Sequence, residues 1–308
     1  SWMLIRIIFV KDYGGWFTVF GTGANNGIIS QYPSCEIFVG NHFLFVWYTA
    51  SMELNGIQFS KGFFWGAATS AHQVEGGNRN DWSEWEVENA KRKAQNAKVN
   101  KFQDYILQSY PNPLQEENYI SGRACDHYNR YEEDFDIAKE LGHTAHRFSL
   151  EWSRIEPKEG QFDKRELEHY QNVVRALRDR GLEPFAGLWH FTLPLWLRDK
   201  GGVLAKDFPR FFERYASRAA DALRDVTFWT TFNEPEIYVL NSWYRGIWPP
   251  QRKNLWLAIS AMRTLRRAHQ RAYHALKTGS VNREISVAVN QSYFESAGGF
   301  INDAGTKS

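Results

Sequence analysis

The densest chemistry in the sequence is the run Thr231-Phe232-Asn233-Glu234-Pro235, where a carboxyl and a carboxamide follow the aromatic stretch that includes Phe228 and Trp229. A glutamic acid behind an apolar strand loses hydration, which raises its pKa and suits it to protonate a leaving oxygen. Arg147, His190 and Asn290 stand near the ends of three other apolar runs. Asn and His offer directional hydrogen bonds to hydroxyls, so together these residues fit a polyhydroxylated substrate. Hydrolysis of a glycoside needs a second carboxylate as well. Each residue alone has a plainer reading: Arg147 paired with a buried carboxylate, His190 a hydrogen-bonded core histidine, Asn233 and Glu234 the cap and first turn of a helix beside Pro235. Four strand ends that all carry such groups favour the functional reading.

The elements that must position these groups alternate. An apolar run at 63–69 is followed by helical spacing over 126–141, a strand at 144–150, a helix at 163–180 and a strand at 183–189. A further helix at 207–223 carries Pro209 in its first turn, and then come a strand at 227–232, a helix at 254–276 and a strand at 284–289. Gly142 and Gly181 supply stop signals. Five strands joined by helices read as parallel βα repeats. No GxGxxG follows the first strand and no GxxxxGK[ST] occurs, so nucleotide-binding doubly wound folds lose their main support. The fold class is α/β: a (β/α)8 TIM barrel of which about five units are present. Strand ends then converge on one mouth, and the polar excursion 84–122 is a loop over it.

Composition bounds the rest. The 308 residues carry 37 Lys+Arg against 35 Asp+Glu, a net charge of +2 that directs no strong field at nucleic acid or an anionic membrane. Two cysteines, Cys35 and Cys125, make no disulfide framework and fit a reducing, cytoplasmic location. The nine histidines show no HxxxH or HxH spacing, so no metal is expected. Aromatic content is high at 16%, with 13 Trp, which suits either a large core or stacking on sugar rings. Composition changes near residue 52: only four charged side chains (Arg6, Lys11, Asp12, Glu36) precede it. Residues 1–51 read as an extension foreign to a main domain at 52–308, with β-prone runs at 3–10 and 43–48. Neither approaches the ~18 apolar residues of a membrane span.

Four motifs carry a resemblance. Residues 64–76, FWGAATSAHQVEG, are similar to the amino-terminal signature of the family 1 glycoside hydrolases, β-glucosidases and β-galactosidases built on a (β/α)8 barrel. The runs 147–155, RFSLEWSRI, and 188–197, LWHFTLPLWL, resemble that family's second and third strands, the latter in wording nearest its archaeal-type branch. TFNEP at 231–235 resembles its acid/base motif.

The resemblance implies a retaining β-glycosidase that acts on terminal β-linked glucose or galactose without a cofactor. By position it makes Glu234 the general acid/base, Arg147 the support of the nucleophile, and Gln73, His190, Asn233 and Asn290 the sugar-binding residues, with Asn233 on the 2-hydroxyl. It also implies a nucleophilic glutamate in a Thr-Glu-Asn-Gly-like motif on a seventh strand, and these 308 residues hold no such motif. Val203 stands where the family usually has Trp. The expectation is an amino-terminal portion whose nucleophile half is missing, with a β-glycoside or oligosaccharide as substrate. The alternative is an inactive or sugar-binding fragment that self-associates or needs a complementary carboxyl-terminal chain.

Overall fold

The computed structural model describes residues 61–96, 107, 112, 114–279 and 282–290, and the backbone of two strands near the start. Those two, β1 (Arg6–Lys11) and β2 (Trp16–Gly21), pair as an antiparallel hairpin. The run at 43–48 lies outside the described residues. The main sheet holds β3 (Gly66–Ala68), β4 (Ala145–Ser149), β5 (Glu183–Gly187), β6 (Phe228–Asn233) and β7 (Glu284–Ala288), in sequential order. Every neighbouring pair is parallel. This is the expected partial (β/α)8 barrel.

Strand β4 is buried at all five positions, as a parallel strand covered on both faces must be. Register decides what each face carries. Arg147 lies beside Phe185, and Phe185 beside Phe228, so these three share one face. Phe148, Ala186 and Trp229 share the other, which packs into the main hydrophobic core with the helices.

The helices follow the sequence signals closely. Helix Lys164–Asp179 starts at Asp163, whose carboxylate accepts from the Arg165 backbone N–H at 2.9 Å. Helix Phe208–Ala222 begins with Pro209 in its first turn, and its apolar face delivers Phe208, Phe212 and Tyr215 to the core. Leu255–Gly279 packs beside it. The excursion at 84–122 departs from expectation, because its first part belongs to a 16-residue helix, Asp81–Asn96. That helix has few apolar residues; its buried set includes Asp81, Glu86 and Asn89, so no apolar stripe announced it.

Among the described residues, part of the aromatic surplus is structural. Trp152, Trp189, Trp229 and Trp243 are buried. Trp152 stacks on Tyr215 with ring centroids 4.7 Å apart and donates its indole N–H to Glu156 at 2.9 Å. Val203 is fully buried and packs into the same core.

The segment after β3 turns at Gly76 (φ +80°), where a Cβ would lie 2.0 Å from the Arg123 carbonyl oxygen. Gly77 (φ +64°) has open space around its Cα. Gly76→Ala therefore adds a backbone collision to the left-handed penalty and is expected to cost ~2–4 kcal/mol. Gly77→Ala carries the left-handed penalty alone, ~1–2 kcal/mol. Urea unfolding of both variants checks the order.

Candidate active site

Arg147 projects from the middle of β4 and is buried. Its Nη2 donates to Asn233 Oδ1 at 2.8 Å. Burial pulls its pKa down to about 10, against the opposing pull of the Glu234 carboxylate, and the guanidinium remains charged at neutral pH. Because a guanidinium only donates, this bond fixes which way the Asn233 amide faces. The Asn233 Nδ2 therefore points away and lies 3.2 Å from His190 Nε2. An NH2 group donates, so Nε2 must be the acceptor and the imidazole proton sits on Nδ1. A second ring proton would oppose both the Asn233 amide and the nearby Arg147 charge. Desolvation, with Arg147 and His72 adding to it, pushes the His190 pKa down to about 3.

Glu234 follows the last residue of β6. Its backbone is left-handed (φ 44°, ψ 55°), and its N–H donates to the Ala288 carbonyl of β7 at 2.7 Å. Strain of this kind at a non-glycine residue gathers at functional sites. The helix Pro235–Val239 starts immediately afterwards, so the chain turns off the sheet at the carboxyl-bearing residue. Glu234 is half-buried. Desolvation raises its pKa, and Glu236 adds to the rise; the Asn290 amide and Arg147 oppose it. The Nδ2 of Asn290, two residues beyond β7, lies 3.5 Å from Glu234 Oε1.

Five sequence-derived candidates are thus linked in two short chains, Arg147–Asn233–His190 and Glu234–Asn290, which meet where Asn233 adjoins Glu234. His190 stands three residues beyond the end of β5, slightly past the strand end expected for it. Gln73 lies on the short helix Ala71–Val74 after β3, is exposed, and hydrogen-bonds none of the others.

Two further carboxylates are committed to structure. Glu75 bonds Arg154 at 3.1 Å and the Tyr170 hydroxyl at 2.8 Å. Glu151 is fully buried and accepts from Ser153 and Thr192 hydroxyls at 2.7 and 3.0 Å. Glu295 lies outside the described residues. Sequence reasoning missed Glu236, half-buried beside the acid/base candidate, whose carboxylate accepts the Asn290 backbone N–H. An acidic residue just after Pro235 reads as ordinary first-turn helix chemistry, and only the sheet register brings Asn290 to it. Among the described residues no group of three or more His, Cys, Asp or Glu could hold a metal ion.

A parallel βα sheet that carries an arginine within β4, and an asparagine, a histidine and a glutamic acid at or just beyond the ends of β5 and β6, fits part of a (β/α)8 barrel with a polar mouth. The comparisons agree, and the chain belongs to glycosyl hydrolase family 1, whose model it matches over residues 55–303. Beta-glucosidase A of Acetivibrio thermocellus is 31% identical over 242 residues, covering 78% of this chain and 50% of that protein. Beta-glucosidase A of Thermotoga maritima is 30% identical over 247 residues, or 79% and 51% of the two chains. A solved beta-glycosidase from Pyrococcus horikoshii superposes with a TM-score of 0.66 at 30% identity, over 80% of this chain and 53% of its own. The chain spans about half the length of the relatives it matches.

The bonding pattern predicts a neutral His190 with its proton on Nδ1 down to about pH 4. Nitrogen-15 imidazole shifts across pH 4–8 check both points. The depressed pKa also has a sign for stability. An unfolded histidine takes up its proton near pH 6.5, so His190 draws stability away as pH falls from about 6.5 toward 3.

Proposed function

We propose that this chain supplies the acid/base half of a retaining β-glycosidase that removes terminal β-linked glucose or galactose. The observation that carries the reading is Glu234 itself: a half-buried carboxyl at the end of β6, in the TFNEP run, with its pKa raised by desolvation. A carboxyl whose pKa is raised keeps its proton to higher pH and can pass it to a glycosidic oxygen; once ionised, it can activate water against a glycosyl-enzyme. Asn233, held by Arg147, presents its amide to the 2-hydroxyl, where hydrogen bonds strengthen in the transition state. His190, Asn290 and the exposed Gln73 meet other hydroxyls. Solved structures of the Thermotoga maritima beta-glucosidase with deoxynojirimycin and with castanospermine lend support to a sugar-shaped site.

The retaining reaction needs a nucleophilic carboxylate roughly 5–5.5 Å from the acid/base. Glu75 and Glu151 are held by structural partners, and in this reading the nucleophile is the glutamate of the Thr-Glu-Asn-Gly-like motif that the resemblance implies. Arg147 would steady that nucleophile across the mouth. Residues 1–51 form a separate extension in this reading, and the domain proper runs over 52–308. In this reading the protein works in the cytoplasm, a reducing location that its two cysteines fit. Among the described residues no helix is long and apolar enough to cross a membrane.

The test mixes the 308-residue chain with a separately expressed carboxyl-terminal segment of a family relative that carries a Thr-Glu-Asn-Gly motif. An aryl β-glucoside reports turnover. The chain alone is expected to stay near background, since general acid catalysis contributes only ~10²–10⁴-fold where whole enzymes reach ~10⁶-fold or more. The mixture should turn over with retained anomeric configuration, and Glu234→Gln should remove that rate. Sugar binding without turnover in any combination would favour the inactive, sugar-binding alternative.

A further inference from the structure

Two carboxylates, not one, stand at the end of β6, and the same asparagine ties them together. Glu236 Oε1 accepts the backbone N–H of Asn290, and the side-chain Nδ2 of that asparagine lies 3.5 Å from Glu234 Oε1. The three residues are each half-buried. Asn290 follows the last residue of β7 by two positions, and the sheet reaches it only through the backbone bond from Glu234 N–H to Ala288. Beyond that point the β7 ladder has ended, and the Glu236 carboxylate is what accepts the Asn290 N–H.

We propose that Glu236 is a positioning residue for Glu234: it anchors Asn290 by its backbone so that the amide meets Glu234, and it sets a second negative charge beside the acid/base carboxyl. The proposal rests on the reading of Glu234 as acid/base. Its two actions oppose each other in a useful way. The Asn290 amide favours an ionised Glu234, while the Glu236 charge favours a protonated one. Among the described residues, the other charged group that bears on Glu234 is Arg147 of β4, which favours ionisation. Without the Glu236 charge, but with Asn290 still anchored, an arginine and an amide donor would act on Glu234 with only desolvation against them. The acid form needed for the first chemical step would then thin out toward neutral pH. Glu236 itself is kept partly desolvated, and its carboxyl is pushed up by burial against the pull of the backbone N–H bonds.

Two variants separate the two actions. Glu236→Gln removes the charge but keeps an oxygen able to accept the Asn290 N–H, while Glu236→Ala removes both. Carbon-13 carboxyl titration of the intact 308-residue chain reads Glu234 directly, its signal assigned by its loss in Glu234→Gln. In Glu236→Gln the Glu234 acid dissociation constant should rise roughly three- to tenfold, as expected for loss of a neighbouring charge at a partly solvated site. In Glu236→Ala the Asn290 backbone amide resonance should also move, whereas the Gln variant should leave it near its original position. An unchanged Glu234 titration in Glu236→Gln, or an Asn290 amide indifferent to Glu236→Ala, would overturn the proposal. If the alanine variant fails to fold, the glutamine variant still decides it. These readouts need no turnover, so a shifted Glu234 in a chain that gains no turnover from any complementary carboxyl-terminal segment would preserve the coupling and refute the glycosidase reading.

Discussion

A single buried cation organises the mouth of this sheet. Arg147 stands on β4 with its guanidinium out of water, and a charge in that position has to be met by hydrogen bonds or countercharge. Asn233 on β6 meets it at 2.8 Å, across the intervening strand β5. Everything else in the site follows from that bond. It fixes the Asn233 amide, the amide fixes the His190 tautomer, and the strand end that carries Asn233 also carries Glu234. The arginine reaches past one strand to lock the next, so three consecutive βα units share one polar cluster. A lysine would put a compact ammonium on a flexible stem in place of the planar guanidinium that donates to Asn233 Oδ1.

The chemistry that emerges is a contest over one proton. Desolvation and the Glu236 carboxylate hold it on Glu234, while Arg147 and Asn290 pull the other way. A carboxyl balanced in this manner can give up a proton to a leaving oxygen and take one from water later, which are the two tasks of a glycosidase acid/base. The left-handed backbone at Glu234 serves the same end, because it turns the chain off β6 at the residue that must face the substrate. His190 stays uncharged and so adds no further cation to the balance.

Much of this was legible in the sequence. Four strands of the main sheet lie within the apolar runs of the sequence and β6 extends one residue past its run, to Asn233, while Gly142, Gly181 and Pro209 mark helix ends where the structure has them. Arg147, His190, Asn233 and Glu234 were found because strand ends in a parallel barrel share a mouth. The helix Asp81–Asn96 was not found, since its buried positions hold Asp81, Glu86 and Asn89 beside two small alanines, which leaves little periodic signal. Glu236 was hidden for a different reason: its partner is a backbone N–H 54 residues away, and no local pattern encodes such a pairing. The aromatic excess pointed two ways, and the burial of Trp152, Trp189, Trp229 and Trp243 settles those four as core.

The dependence of the site on the Arg147–Asn233 bond is open to direct measurement by a double-mutant cycle. Arg147→Met, Asn233→Ala and the combined variant would be unfolded in urea at pH 7 beside the parent chain. A hydrogen bond to a buried charged group should appear as a coupling energy of ~1.5–3 kcal/mol. Losses that simply add, to within ~0.5 kcal/mol, would mean that the two residues act independently and that the guanidinium does not organise the site.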